Sequence, residues 1–523
     1  MSNGANLVAQ NKWKFKVLPY RHQEEDTAKI QDVPFYGLFW EMRLGKTKCV
    51  IDSACLLYDS GKIDTVVVIT PAAVRGVWID EDPELGEIKK HSWVPSLVLE
   101  YHNPEKVIWA DPGQNRLNFL VTNYEFIRME SHRTKLKEML ARRKFLMVLD
   151  ESSFIKNHKA EQTKACFELG ALASRRIILN GTPVGNSPLD LWSQVHFLST
   201  TILPFPNFYS FRFNFCDMRM KPFPKILRYK RLDYLQALLA PHVVRREQKD
   251  CLDLPEKIKT HFEVKLSPAT WKMYKQMRDE CVVWMDENPS MASQAGVKVM
   301  RLSQITSGFL GGFLDDEDEP EEGKPLNQPK AREVSWEKLD WLRTFVLARL
   351  EENPERKIIV WCRFRPEIER VAANLHNFCV KCGANAETHA PDPAHPFTPL
   401  PTYRLYGQKK AERDEARERF SKLDNREPAL LAAQPQAGGF GLNLIAADVV
   451  VYLSHDYSLT RRLQSEERAH GPGQLKNVLY VDVLATGPDG QKTIDHTVVK
   501  ALRQMDDLAN WTTAAWKKAL EEE

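Results

Sequence analysis

Cleaving a nucleoside triphosphate requires backbone N–H groups around the phosphates, a lysine on the β/γ oxygens, a hydroxyl on Mg²⁺, and an acidic pair for metal and water. The stretch WEMRLGKT (40–47) offers the first three, with Gly45 in the turn, Lys46 as the phosphate lysine and Thr47 as the Mg²⁺ hydroxyl. It runs directly into a stretch read as a helix, whose N-terminus favours anions. The match is irregular, because Trp40 stands where such a loop usually begins with glycine and Arg43 sits inside it. Taken alone, GKT also occurs in ordinary structural turns. The acidic pair strengthens the reading. Asp150 and Glu151 follow a strongly apolar run in LDESS. That placement sets a metal-linked carboxylate and a water-activating carboxylate at the C-terminal edge of a sheet, where open α/β folds bind ligands.

The elements that must position these groups are visible as short apolar runs: TVVVIT (65–70), KFLMVLD (144–150), RRIILN (175–180), KIIVWC (357–362), ALLAA (429–433), DVVVYLS (448–454) and NVLYVDVLA (477–485). Such runs read as parallel strands buried on both faces. Helical stretches such as TKCVIDSACLLYDSG and KKAERDEARERFSKL lie between them. The alternation is that of a doubly wound α/β domain, and it occurs twice. Between the two series, residues 200–335 turn aromatic and basic, then helical, and end in DDEDEPEEGKPLNQP, read as a flexible surface loop. A second loop is expected at CVKCGANAETHAPDPAHPFTPLPTY. The expected division is a flexible lead at 1–15, a nucleotide-binding lobe at 16–245, a helical insert with an acidic linker at 246–335, and a second lobe at 336–523.

Length and composition agree with this division. At 523 residues the chain is long for one core and suits two. No apolar run approaches the ~20 residues that cross a bilayer, so no membrane partner is expected. The opening MSNGANLVAQNKWK lacks the pattern of a secretory signal. Of nine cysteines, Cys49, Cys55, Cys166, Cys216, Cys251 and Cys281 are scattered singly, unlike a disulfide framework. A reducing, cytoplasmic compartment is expected. The net charge of +3 neither demands nor excludes a polyanionic partner. Cys379, Cys382, His389 and His395 raise the question of zinc. Structural sites usually pair a CxxC with another CxxC or with an HxxxH at helical spacing, whereas these histidines fall in a Pro-rich loop, so the sequence reads against a metal there.

Further motifs, in order across most of the chain, resemble the Swi/Snf-type branch of helicase superfamily two. LPYRHQ ends in Gln23, matching the family's adenine-reading glutamine. VVVITPAAVRGVWIDE matches the next block through Pro71, Trp78 and Glu81, and VTNYEF (121–126) the one after. LDESSFIKN stands for the acidic box, with Ser152 and Ser153 replacing the more usual Ala-His or Ser-His. LNGTPVGNSPLDLWSQVHFL (179–198) is the most specific match, and LLAPHVVRREQKDCLDLPEK (238–257) resembles the link out of the first lobe. AGGFGLNLIAAD (437–448), with Gly441, resembles the fifth motif and LQSEERAHGPGQ (463–474) the sixth.

The resemblance implies two RecA-like lobes using ATP and Mg²⁺. It makes Lys46, Asp150, Glu151, Gln464 and Arg468 the catalytic set, and Gln23, Gly45, Thr47 and Gly441 further nucleotide-binding residues. Gln464 and Arg468 would act from the second lobe on ATP held by the first. The second arginine finger of the family is missing, because its position is Gly471. Arg43, standing where the family usually has glycine, is read as pointing to solvent, with positive charge from within the loop as the alternative. The implied activity is DNA-stimulated ATP hydrolysis driving a monomer along double-stranded DNA. The alternatives are a strand-separating DNA or RNA helicase, with single-stranded DNA or RNA as partner, and a catalytically weak ATP-gated DNA clamp. Grip should be to phosphates, with Pro71, Thr122, Asn123, Arg245, Arg246 and Arg363 as candidates. KPFPKILRYKR (221–231) reads equally as a solvated face or a DNA tract. The economy of the chain suits a phage or bacterial member working in bacterial or infected-host cytoplasm.

Overall fold

The computed structural model describes residues 3–11, 14–82, 86–102, 115–181, 187–219, 225–287, 292–311, 331–376, 378–390, 396–406, 410–421, 423, 426–436, 442–504 and 506. Each apolar run of the sequence becomes a strand buried on both faces. The chain divides into two units, Met1–Asp253 and Leu254–Gln504. In the first, β1 (Phe35–Trp40), β2 (Thr65–Thr70), β3 (Ser96–Glu100), β4 (Leu117–Asn123), β5 (Phe145–Leu149) and β6 (Arg175–Leu179) build most of one sheet. A hairpin of β7 (Cys216–Arg219) and β8 (Lys225–Tyr229) follows, and β9 (Val243–Arg246) returns to the sheet edge. The order is β3-β4-β2-β5-β6-β1-β9, and every pairing is parallel. Parallel neighbours need crossovers, which the helices Lys46–Asp59 and Glu161–Gly170 help to supply.

The second unit repeats the plan. β10 (Lys257–Lys265) lies at one edge, a small ribbon forms from β11 (Phe309–Leu310) and β12 (Arg332–Glu333), and β13 (Lys357–Trp361), β14 (Thr402–Leu405), β15 (Ala429–Ala433), β16 (Val449–Tyr452) and β17 (Val478–Thr486) complete the sheet. The order is β10-β17-β16-β13-β15-β14, again parallel. Alternate residues of β13 enter opposite cores. Ile358 and Val360 join one cluster, and Ile359 and Trp361 the other, as the period of two in a strand dictates. Both faces are therefore covered, as expected for two doubly wound α/β lobes.

β10 lies within the span expected as helical insert. It pairs along its whole length with β17, while most of its side chains are exposed. KIKTHFEVK has no apolar run to betray it, because an edge strand with one uncovered face can carry charge, and lysines there discourage pairing with other chains. Residues 3–11, inside the segment expected as a flexible lead, form a helix whose Val8 packs with Phe15, Ala28 and Leu56. The acidic segment 315–329 and His395 lie outside the described residues. Among the described residues no helix is long and apolar enough to cross a membrane.

Candidate functional site: a phosphate loop facing an acidic pair

Because β5, β6 and β1 are adjacent and parallel, their C-terminal ends share one edge of the first sheet. From that edge emerge the loop 41–45 after β1, Asp150-Glu151 after β5 and Asn180-Gly181 after β6. Topology thus brings together residues more than a hundred positions apart. Lys46 and Thr47 open the helix Lys46–Asp59, where backbone N–H groups have no intrahelical acceptor.

The loop is held from outside. Both His22 Nε2 and Gln23 Nε2 lie 2.9 Å from the Leu44 carbonyl oxygen. Gln248 Nε2 donates to Met42 O at 3.0 Å, and the Gln248 backbone N–H donates to the Glu41 carboxylate at 2.7 Å. Gly45 has φ +79°, and a Cβ there would fall 2.3 Å from Gln23 Nε2. The backbone conformation favours glycine, and a side chain there would push the Gln23 amide off the Leu44 carbonyl. Arg43 also takes a left-handed backbone, φ 61°, which accounts for the glycine usual there; an arginine in this region is strained by roughly 1–2 kcal/mol.

Lys46 Nζ donates to Trp40 O at 2.9 Å and Glu41 O at 3.1 Å, lying along the loop it serves. Burial lowers its pKa, opposed by the nearby Glu151 and Asp150 carboxylates. Asp150 Oδ2 accepts from Trp78 Nε1 at 2.9 Å and from Thr70 Oγ1 at 3.2 Å, and its Oδ1 accepts from the Glu151 N–H at 3.1 Å. Burial raises the pKa of Asp150 despite the Trp78 hydrogen bond and the charge of Lys46. A buried carboxylate pushed towards its neutral form beside a cation pushed the same way is a site that charged ligands would complete: a polyanion for Lys46, a divalent cation for Asp150. Glu151 sits at φ 50°, ψ 56°, a left-handed conformation that turns the chain sharply after β5.

A second layer fixes the acidic turn. Ser152 Oγ and Asn180 Nδ2 both donate to Gln194 Oε1, at 2.7 and 2.9 Å, while Gln194 Nε2 donates to Asp190 O. Gln194 is fully buried, so this network links the turns after β5 and β6 to the helix Leu191–Leu198. His22, Gln194 and Gln248 were not singled out from sequence, although each stands inside a recognised motif.

Several expected nucleic-acid contacts have structural duties in the fold. Thr122 is fully buried on β4 and donates to Tyr101 O at 2.7 Å. Asn123 caps the short helix Tyr124–Ile127 by accepting from Phe126 N. Pro71 is buried and its carbonyl accepts from Val74 N. Arg246 is paired with Asp26 and Glu25. Arg245 donates to Phe39 O and Gly181 O, tying the ends of β1 and β6 together beside Lys46. On the β7–β8 hairpin, Arg228 and Lys230 are both engaged by Asp217. Arg363, in the second unit, has its guanidinium over the Phe364 ring and a buried Nη1 without a hydrogen-bond partner.

Gln464 and Arg468 are half-buried on the helix Leu459–Ala469 of the second unit. Arg468 Nη1 donates to Leu442 O at 3.3 Å, and its carbonyl accepts from Leu444 N. The helix is anchored by Arg462, which lies over the Tyr452 ring and pairs with Glu466 and Asp482. The Arg462–Glu466 pair, four residues apart, was the available sequence signal for this anchor. Gly471 is buried, with its carbonyl accepting from Gln474 N. Gly441 lies outside the described residues.

The SNF2-related domain family matches residues 37–308. The chain is 25% identical over 469 residues to the probable ATP-dependent DNA helicase CHR12 of Arabidopsis thaliana, covering 86% of this chain and 38% of that protein. It is 25% identical over 491 residues to the uncharacterized ATP-dependent helicase MG018 of Mycoplasma genitalium, covering 92% and 41%. It therefore spans about two fifths of the length of these curated relatives. Among solved structures, the Sulfolobus solfataricus SWI2/SNF2 ATPase core in complex with dsDNA aligns with a TM-score of 0.41 and 20% identity, covering 90% of this chain and 89% of that chain.

Proposed function

This chain belongs to the SNF2-related domain family, and from that premise we propose that it is an ATPase whose turnover drives movement along double-stranded DNA. The observation that carries the proposal is the convergence of Lys46, Asp150 and Glu151 at one sheet edge around a loop braced by Gln23, His22 and Gln248. Lys46 binds the phosphate oxygens. Glu151 orients and deprotonates the attacking water, and Gln23, already seated on the loop, lies next to it for adenine recognition. Thr47 and Asp150 would hold Mg²⁺, which supplies neutralising charge at the phosphates.

Arg468 is proposed to add a cation to the phosphoryl group in the transition state, with Gln464 beside it, as the family resemblance implies. An arginine in that role is worth ~10³–10⁵ in turnover. With Gly471 in place of a second arginine, this role falls on Arg468. Alternating closure and opening of the two units with nucleotide state would convert hydrolysis into stepping. Grip on DNA would be to backbone phosphates, with Arg363 as the contact best supported by its unpartnered, buried Nη1.

Movement and strand separation are distinguished by substrate. With ATP, the protein is expected to displace a third strand from a triplex while leaving a forked duplex annealed. Efficient fork separation would replace this reading with that of a helicase, and failure on both substrates despite ATP hydrolysis would remove translocation.

Trp78 is a positioning residue in this scheme. Trp78→Phe keeps an aromatic ring in a buried place but removes the N–H from Asp150 Oδ2. Outer hydrogen bonds to metal ligands are worth ~10–100-fold in affinity or activity. The Mg²⁺ concentration for half-maximal hydrolysis is therefore expected to rise ~10-fold at saturating ATP. A Mg²⁺ curve superimposable on wild type would reduce Trp78 to packing.

A further inference from the structure

The crossover between the helix Arg365–His376 and β14 is poor in means of holding itself together. Among its described residues from Phe378 to Pro401, only Phe378, Cys379 and Leu400 are buried, and regular structure is confined to the isolated bridges Phe378↔Asn385 and Cys379↔Pro399. Yet its backbone is specifically turned. Gly383 N donates to Cys379 O and Cys379 N to Ala384 O, each at 2.9 Å. Gly383 takes φ +71°, and a Cβ there would press on Leu347 Cδ2 at 3.0 Å. This reversal sets Cys379 and Cys382 on one tight turn. A second turn, in which Thr388 N and His389 N both donate to Asn385 O, carries His389 back to them. Arg343, from the helix Glu337–Glu352, donates to Gly383 O at 2.6 Å and lies over the Phe378 ring, fastening the turn to the body of the unit.

The result is a cluster that the sequence spacing did not suggest. Ligand atoms of Cys379, Cys382 and His389 all lie within 4.8 Å of one another. At a Zn–S bond of about 2.3 Å and a Zn–N bond of about 2.0 Å, tetrahedral geometry places such donors roughly 3.5–3.8 Å apart. Binding would draw the donors together by roughly 1 Å. The donor set is also selective, since two thiolates and an imidazole suit zinc and do not suit Mg²⁺ or Ca²⁺. Neither cysteine is in a disulfide.

We propose that Cys379, Cys382 and His389 bind one zinc ion, with a fourth donor completing the tetrahedron, and that the ion ties the two turns of this crossover together. Binding would release the two thiol protons, and the bound free energy would become stability of the segment, as at other structural zinc sites. The site is independent of the phosphate loop and of the proposed ATPase activity.

The test is metal analysis of the full chain, purified from zinc-supplemented medium without a histidine tag, beside Cys382→Ser and His389→Ala. Cys382 is exposed and His389 half-buried, so neither change disturbs a core, and circular dichroism checks that both variants fold. Wild type should hold about one zinc per chain, and each variant should lose most of it. Cobalt in place of zinc should give thiolate charge-transfer absorption and the d–d bands of a tetrahedral site in wild type alone. Chelation should expose residues 379–403 to protease. Metal-free wild-type protein, zinc retained equally by folded variants, or a Cys379–Cys382 disulfide in freshly purified protein would each overturn the proposal.

Discussion

Lys46→Ala is expected to lower ATP turnover by ~10²–10³-fold and to weaken ATP binding, with the fold intact. The lysine contributes a positive charge at the one place where the loop, the helix start and both carboxylates converge. It also donates to the carbonyls of Trp40 and Glu41 at the start of the loop, but the rest of the loop has other supports. The carbonyls of Met42 and Leu44 are held by Gln248, His22 and Gln23, and the ends of β1 and β6 by Arg245. Truncation therefore removes a ligand for phosphate without dismantling the cradle. Steady-state hydrolysis together with fluorescent-nucleotide titration checks both halves, and a Lys46→Ala protein with wild-type turnover would remove the loop from the chemistry. Lys46→Arg should not rescue it, because a planar fork on a fixed helix start cannot reproduce a compact ammonium.

Glu151→Gln should separate binding from chemistry. The substitution keeps side-chain length and the left-handed backbone at φ 50°, but an amide cannot take the proton of the attacking water. Loss of a general base costs ~10²–10⁴-fold in rate. ATP affinity should stay near wild type or tighten, since the carboxylate that repels the γ-phosphate has gone. The contrast with Lys46→Ala lies in this split between kcat and affinity. A Glu151→Gln protein that hydrolyses normally would transfer the base to another group, and one that fails to bind ATP would show Glu151 to be structural.

Much of this architecture is legible from sequence because parallel strands buried on both faces must be written as apolar runs. β2, β5, β6, β13, β15, β16 and β17 all fall on such runs. β10 escaped because an exposed edge strand needs none, and KIKTHFEVK is mostly solvent-facing. The residues proposed to hold the nucleotide stand out in sequence for a different reason. The chemistry proposed for Gly45, Lys46, Thr47, Asp150 and Glu151 asks for those residue types whatever surrounds them.

For the proposed nucleic-acid contacts the sequence is ambiguous, since a basic or hydroxyl residue can serve phosphate or the fold, and the structure shows the part that several of them play in the fold. Thr122 is interior to the sheet, Arg246 answers Asp26, and Arg245 ties two strand ends. The braces were missed through the same ambiguity. Gln194 and Gln248 look like surface glutamines until the turns they join are folded beside them. The cysteine–histidine cluster depends on Gly383 reversing the chain, a backbone event that ligand spacing does not record.

The central claim is a duplex-stimulated ATPase built on Lys46 and Glu151, and the most direct measurement is the ATP hydrolysis rate of the full chain without nucleic acid, with duplex DNA, with single-stranded DNA and with RNA, beside Glu151→Gln under each condition. Turnover is expected to be raised several-fold or more by duplex DNA above every other condition, and to stay at background in the variant throughout. Wild-type hydrolysis indistinguishable from Glu151→Gln in all four conditions would contradict it.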